Sequence, residues 1–496
     1  MNLDAHLPIL QIIVPLMTAP VVSLLRVPSL PWAAATVTSG LAFAVAVTLT
    51  GQVLAGGPMS YALGGWVPPY GIELYVDHFS ALLLLIITGA STVALAFGKA
   101  SLDQEVGHER APMFYAAWLL VVAGLCGIVA TGDAFNLFVF LEISSLATYV
   151  LIASAPDRRA LMATFRYLIL GTVGATFYLI GVGLIYMMTG TLNLADMTDR
   201  IAEVGELRPV LVAAGFITVG LALKAAMFPL HAWMPNAYTF APHAATAFLA
   251  ACSTKAAIYV LIRFDLTVFL PHLSDHAEQV SGFFIPLAVL AFLIGSAVAV
   301  FERNLKRMLG YSSVAQIGYI LLGLALLSPL ALTGAIVHLF NHALMKSALF
   351  MAVACLAFRA GSVQLPDLAG CGRAMPLTMG AFVLAGLSMI GVPLTAGFVS
   401  KWYLILACLE YGPLGYVLAG GILVSSLLAV AYVWKVVEAA YFQPRPEGAR
   451  ELREAPPAML AVLWLVALGN VWFGIDTDLT LGLAEQAAAT LLGDGS

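Results

Sequence analysis

Long apolar runs alternate with short polar breaks along this chain, and the runs have the length of bilayer spans. A helix needs about twenty mostly apolar residues to cross the hydrocarbon of a membrane. By that measure fourteen runs qualify: 8–26, 31–53, 75–98, 112–131, 134–155, 163–189, 208–230, 244–263, 281–301, 311–328, 331–354, 376–408, 415–441 and 457–474. Two of them are blemished. The run 208–230 carries Lys224 deep inside and breaks at Phe228-Pro229-Leu230, while 376–408 contains Gly391, Pro393 and Gly397 and is too long for one straight span. Proline removes a backbone donor and clashes with the preceding turn, so both runs predict helices interrupted midway. Such a break is tolerated at bilayer depth only where the freed backbone groups are buried in protein or meet water. The pattern therefore predicts an all-α polytopic bundle of about fourteen transmembrane helices, with helices 7 and 12 discontinuous.

Composition agrees. Of 496 residues, 61% are hydrophobic and 10% charged, where soluble domains carry about 25% charge. A net charge of −5 argues against a nucleic-acid surface. Cys126, Cys252, Cys355, Cys371 and Cys408 are scattered without a C-x-x-C pair and read as small packing residues. The acidic start MNLDAH does not read as a cleavable leader. Neither a phosphate-binding G-x-x-x-x-G-K-[ST] nor a haem or iron–sulfur ligand set is present, and no loop is large enough for a soluble catalytic domain. The expectation is a transporter component that is not itself an enzyme and holds no cofactor. The glycines of LGTVGATFYLIGVG suggest close helix packing.

Charge in the loops orients the bundle. With the N-terminus outside, cytoplasmic segments hold fourteen Lys and Arg, whereas external ones hold only Arg200, Arg208 and Arg263. That bias follows the positive-inside rule and predicts both termini external. The acidic tail (Asp476, Asp478, Glu485, Asp494) and the charged loop 443–455 fit the same orientation. Lys224 and Lys401 each sit singly on an interrupted helix, five spans apart. An odd offset makes those helices cross in opposite directions, as in inverted repeats.

Ionisable residues inside spans are the candidates for chemistry. Glu142 lies mid-span and, beside a cation such as Lys224, would form a proton-sensitive pair; the alternative is a buried structural ion pair. Lys255 is central in its span, too deep for easy snorkelling to a headgroup. His338, His342 and Lys346 recur every four residues on one helix face, a proton-relay pattern whose alternatives are polar glue between helices or, less plausibly, a metal site. No carboxylate or cysteine completes a metal set there. Lys401 lies eight residues past the Pro393 break, where an internal cavity competes with an interfacial anchor. His231 and His243 flank the hairpin between spans 7 and 8 and read equally as a gate or as ordinary loop histidines. Asp77 and Asp133 read as structural helix starts.

The stretches GDAFNLFVFLEISSLATYVL, LKAAMFPLHAWMPNAY, NLKRMLGYSSVAQIGYI, HLFNHALMKSALF and GVPLTAGFVSKW closely resemble the proton-translocating antiporter-like family. That family includes the large membrane subunits of respiratory complex I and the A and D subunits of Mrp-type cation/proton antiporters. GGWVPPYGIELYVDHFSALL and GTLNLADM look most like Mrp D, and the A subunit is much longer. The resemblance implies N-terminal helices in 1–110, five-helix repeats in 111–265 and 280–442, and a last helix and external tail in 455–496. It casts Glu142, Lys224 and Lys255 as the span-5, span-7 and bridging span-8 charges, His338 as part of the span-11 stripe, and Lys401 as the span-12 lysine of the far channel. It departs at MPNAYTFAPHAA, where Asn236 and His243 replace residues usually acidic or hydroxylated, so no role carries over to that loop. The implied function is proton translocation in a bacterial inner-membrane Na+ or K+/proton antiporter, with other Mrp subunits as partners. The alternative is a proton-pumping subunit of complex I or a related hydrogenase.

Overall fold

The computed structural model describes residues 3–273, 276–445 and 451–493; Arg450 of the charged loop and Asp494 of the tail lie outside them. Among the described residues, twelve helices are long and apolar enough to cross a membrane. The chain opens with α1 (Leu7–Leu24), α2 (Leu30–Gly56) and α3 (His78–Glu105). A hairpin of β1 (Met59–Ala62) and β2 (Glu73–Val76) joins the last two, with Met59 opposite Val76. Then come α4 (Ala111–Ala130), α5 (Ala134–Ala153), α6 (Arg159–Thr189), the short α7 (Leu194–Ile201), α8 (Arg208–Lys224), α9 (Met234–Phe240) and α10 (His243–Arg263). α10 runs on into a π turn at Phe264–Phe269. The second half holds α11 (His276–Phe301), α12 (Leu305–Ala325), α13 (Pro329–Ala360), α14 (Pro376–Ile390), α15 (Ala396–Glu410), α16 (Pro413–Tyr441), α17 (Pro457–Ile475) and α18 (Asp478–Leu492).

All fourteen expected spans are found. Two are assembled from half-helices, α8 with α9 and α14 with α15, as the proline breaks require. One boundary is corrected: the first broken span continues through α9 to Phe240, so His231 lies inside the break and not in a hairpin after it. Met234-Pro235 begins α9 because proline at a first-turn position loses no helical bond. The hairpin β1–β2, the polar α7 and the tail helix α18 were not anticipated.

Local chemistry fixes where helices begin. The Asp77 and Asp133 carboxylates accept the Ser80 and Asn136 backbone N–H groups, capping α3 and α5 as expected. Asn193, Asn304 and Ser328 cap α7, α12 and α13 in the same way. α4, α10 and α12 are almost wholly buried, whereas α1, α2, α6, α16 and α17 turn most of their apolar residues outward. Because nothing separates lipid from a helix but its own side chains, the close contacts rely on small residues. A Cβ at Gly174 of α6 would stand 2.9 Å from the Gly220 carbonyl oxygen of α8. The five cysteines are buried and unpaired. With fourteen crossings, both ends of the chain lie on one face, here called the terminal face.

A buried file of lysines and histidines

Lys224 is the last residue of α8. Its Nζ lies 3.1 Å from Glu142 Oε1 of α5 and donates to Ser145 Oγ at 2.6 Å. The lysine is 5% exposed and Glu142 26% exposed. The break also frees carbonyls of α8, and Trp233 answers one: its Nε1 donates to Leu223 O at 2.9 Å while its ring stacks on Tyr167 at 3.8 Å. Lys224 is thereby left to the carboxylate. A cavity of about 20 Å³ touches Lys224, Ser145, Thr148, Tyr167 and, on α10, Ser253; that is room for about one water.

Lys255 follows two residues later on α10, fully buried, its Nζ donating to Ala250 O. α10 packs against α13, which carries the histidine stripe. His338 is held at both nitrogens: Nε2 meets Gln316 Oε1 at 3.0 Å and Nδ1 meets Ser400 Oγ at 2.8 Å. His342 stacks on it with ring centroids 6.2 Å apart, and both its nitrogens are enclosed without a protein partner. Asn341 donates to Ala396 O at 2.6 Å, leaving its own oxygen enclosed and unanswered. Enclosed polar atoms of this kind call for water. Lys346 donates to Leu309 O at 3.0 Å and to Ser312 Oγ.

The second break ends the file. Lys401 Nζ donates to Met389 O and Ile390 O, each at 2.9 Å, and to Ser426 Oγ at 3.0 Å. Those carbonyls close α14, so the ammonium sits at the negative end of that helix. It also stands 5.0 Å over the Tyr319 ring, which meets His338 edge-on at 5.6 Å.

Glu142 and Lys224 are thus brought together, as are His338, His342 and Lys346, and Lys401 joins that group through Tyr319. His231 and His243 are not brought together. His231 packs in the first break against Phe228 and Tyr311, whereas His243 opens α10 at the face opposite the termini. No three His, Cys, Asp or Glu residues converge on a possible metal site among the described residues. On the terminal face, Arg263 binds Asp77 at 2.5 Å and Tyr259 OH at 3.0 Å. Burial pushes the Asp77 carboxyl up, but the Arg263 guanidinium and the bonds from Arg263 and Ser80 outweigh it and hold the group below its usual value. Sequence reasoning missed Gln316 and Ser400, neutral residues without a spacing signal. It also missed Glu105 and Lys306, charges at helix ends.

Interrupted helices with buried lysines, arranged on one fourteen-span bundle, define a polytopic membrane protein of the antiporter-like kind. Residues 131–428 match the family described as "NADH:quinone oxidoreductase/Mrp antiporter, TM", and the chain belongs to that family. It is similar to the NADH-quinone oxidoreductase subunit N of Desulforudis audaxviator, 43% identical over 98% of this chain and 99% of that one. The D subunit of the Na(+)/H(+) antiporter of Bacillus subtilis is 30% identical over 92% of this chain and 91% of that one. Among solved structures, a chain of the membrane-bound sulfane sulfur reductase, an archaeal respiratory membrane complex, superposes with a TM-score of 0.91 at 32% identity, covering 98% of each chain.

Proposed function

We propose that this chain moves protons across the membrane as one subunit of a larger complex. The carrying observation is the file itself: Lys224, Lys255, His338, His342, Lys346 and Lys401 are buried, with the partly exposed Glu142 paired to Lys224, and the file is punctuated by a water-sized cavity and by polar atoms that lack protein partners. A proton arriving near Lys224 changes how strongly the lysine holds Glu142, and the altered charge biases the next lysine through a low-dielectric interior. Lys255 joins the two halves, the histidines and water carry the proton between them, and Lys401 communicates with the opposite side. His231 and His243 stand where they could gate access. Energy comes from a gradient or a partner; no covalent step is needed on this chain. Glu142 is partly exposed at mid-bilayer, which supports a neighbouring subunit covering it, since an ionisable group facing lipid is unfavourable.

Two readings of the driving force follow. Exchange against Na+ or K+, in a bacterial inner-membrane Mrp-type complex with both termini external, is supported by the motifs and by the likeness to the D subunit of the Bacillus antiporter. Coupling to redox chemistry in partner subunits is supported by the higher identity to an oxidoreductase subunit and by the match to a sulfur reductase complex, and this likeness extends over nearly the whole chain. The test is proton movement in everted vesicles carrying the intact complex. Glu142→Ala or Lys224→Ala abolishes it while the complex still assembles; wild-type rates in both variants would overturn the proposal. Collapse of a pH gradient on adding NaCl or KCl identifies the first driver, and acidification that starts only with an electron donor identifies the second.

A further inference from the structure

A cavity of about 570 Å³ opens on the face opposite the termini and lies outside the file. It is lined from both halves of the chain: Glu105 ends α3, His243 begins α10 and Lys306 lies in the first turn of α12. Arg159 and Gln364 at its mouth are exposed. Its other charged walls are Asp157, Glu302, Arg303 and Arg307. Glu105 and Lys306 grip opposite ends of one turn. Glu105 Oε2 accepts the backbone N–H of His243 at 2.8 Å, and Lys306 Nζ donates to Ala241 O at 2.6 Å. The other carboxylate oxygen, Glu105 Oε1, is enclosed and has no partner. Lys306 is buried at 2% exposure.

A buried lysine and a half-free carboxylate lining one open cavity are an unusual pairing for a purely structural corner. One turn along α12 from Lys306 stands Leu309, whose carbonyl accepts from Ser312, Ser313 and Lys346. Positions three apart share a helix face, so Lys306 and the Leu309 carbonyl that holds Lys346 lie on one side of α12. We infer that this vestibule is a proton-loading port, with Glu105 taking protons from water at Oε1 and Lys306 passing them along α12 toward Lys346. The inference rests on the proton-translocating reading. In the loading step Oε1 of Glu105 gains a proton from hydronium, leaving water. Because Glu105 and Lys306 do not touch, that proton passes through an intervening water to the neutral amine of Lys306, returning Glu105 to carboxylate and leaving an ammonium that releases it inward.

Glu105→Gln separates this role from a structural one, because the amide oxygen still accepts the His243 N–H but the side chain no longer accepts a proton. In vesicles carrying the intact complex, Glu105→Gln lowers proton transport by at least about tenfold, and Glu105→Asp restores most of it. A wild-type rate in Glu105→Gln overturns the port. If that variant does not assemble, Ser362→Cys decides: Ser362 lines the same vestibule and the native cysteines are buried. A membrane-impermeant cationic thiol reagent applied to that face then blocks transport; labelling without inhibition overturns the port. Lys224→Ala measured alongside keeps the two proposals apart. A dead Lys224→Ala with a wild-type Glu105→Gln rejects the port alone, whereas wild-type rates in both reject proton translocation itself.

Discussion

The two broken helices solve one problem in opposite ways. Each places a non-glycine residue in the left-handed region at its interruption, Ala226 at φ 53° and Leu394 at φ 70°. Each brings a single lysine to the gap. In the α8–α9 break a tryptophan caps the freed carbonyl and the lysine is held by a carboxylate. In the α14–α15 break the lysine itself caps two carbonyls, with a serine hydroxyl as its third partner and, among the described residues, no carboxylate in ion-pair contact. Lys224 can therefore change charge or partner without undoing the backbone around it. Lys401 is more constrained, because two of its N–H groups are part of how α14 ends whatever its charge. The first break is built to respond to a counter-charge and the second to the state of a helix terminus.

Four single substitutions and one double variant sharpen that contrast. The largest effect is expected from Lys401→Met: two buried carbonyls lose their donor at roughly 1–3 kcal/mol each, the melting temperature of the detergent-solubilised complex drops, and no change at a second ionisable residue restores it. Lys224→Met leaves Glu142 without its cation, at less than the ~3–5 kcal/mol of a fully buried pair because Glu142 is partly exposed. Here a second change does help. The double variant Lys224→Met with Glu142→Gln melts higher than Lys224→Met alone yet stays transport-dead. Equal rescue at both breaks, or at neither, would erase the distinction. Gly391→Ala comes next. Gly391 sits at φ 95° and a Cβ there would press within 3.0 Å of the Lys401 stem, so about 1–2 kcal/mol of strain is expected, with slower transport through a displaced lysine. Trp233→Phe is the mildest, losing one bond to Leu223 O for about 1 kcal/mol; transport falls a few-fold because that carbonyl, left with the Ala226 N–H at 3.2 Å, then competes with Glu142 for Lys224. A Trp233→Phe variant with unchanged stability and rate would show that the cap is irrelevant.

What the sequence made legible was depth. A charge in the middle of an apolar run is conspicuous, so Glu142, Lys224, Lys255, the His338–Lys346 stripe and Lys401 stood out, as did the proline breaks. Charges near the ends of runs are ordinary there, and Glu105 and Lys306 were hidden for that reason: only the packing of α3, α10 and α12 shows that they share an enclosed corner. α9 was obscured because His231, Trp233 and Pro235 resemble loop residues, and their helical and capping roles are tertiary. α7 and α18 escaped because short or amphipathic helices leave no apolar run. Gln316 and Ser400 carry no charge, and their grip on His338 depends on three helices meeting.

Lys255 is the residue on which the account turns, since it belongs to neither break and lies on α10, the helix that packs against the histidine-bearing α13. The most direct measurement is the initial rate of proton transport by the reconstituted complex carrying Lys255→Met, compared with wild type at equal assembly. The account predicts a rate reduced to background with both broken helices folded as before. Transport at the wild-type rate would mean that protons do not cross from one half to the other along this file.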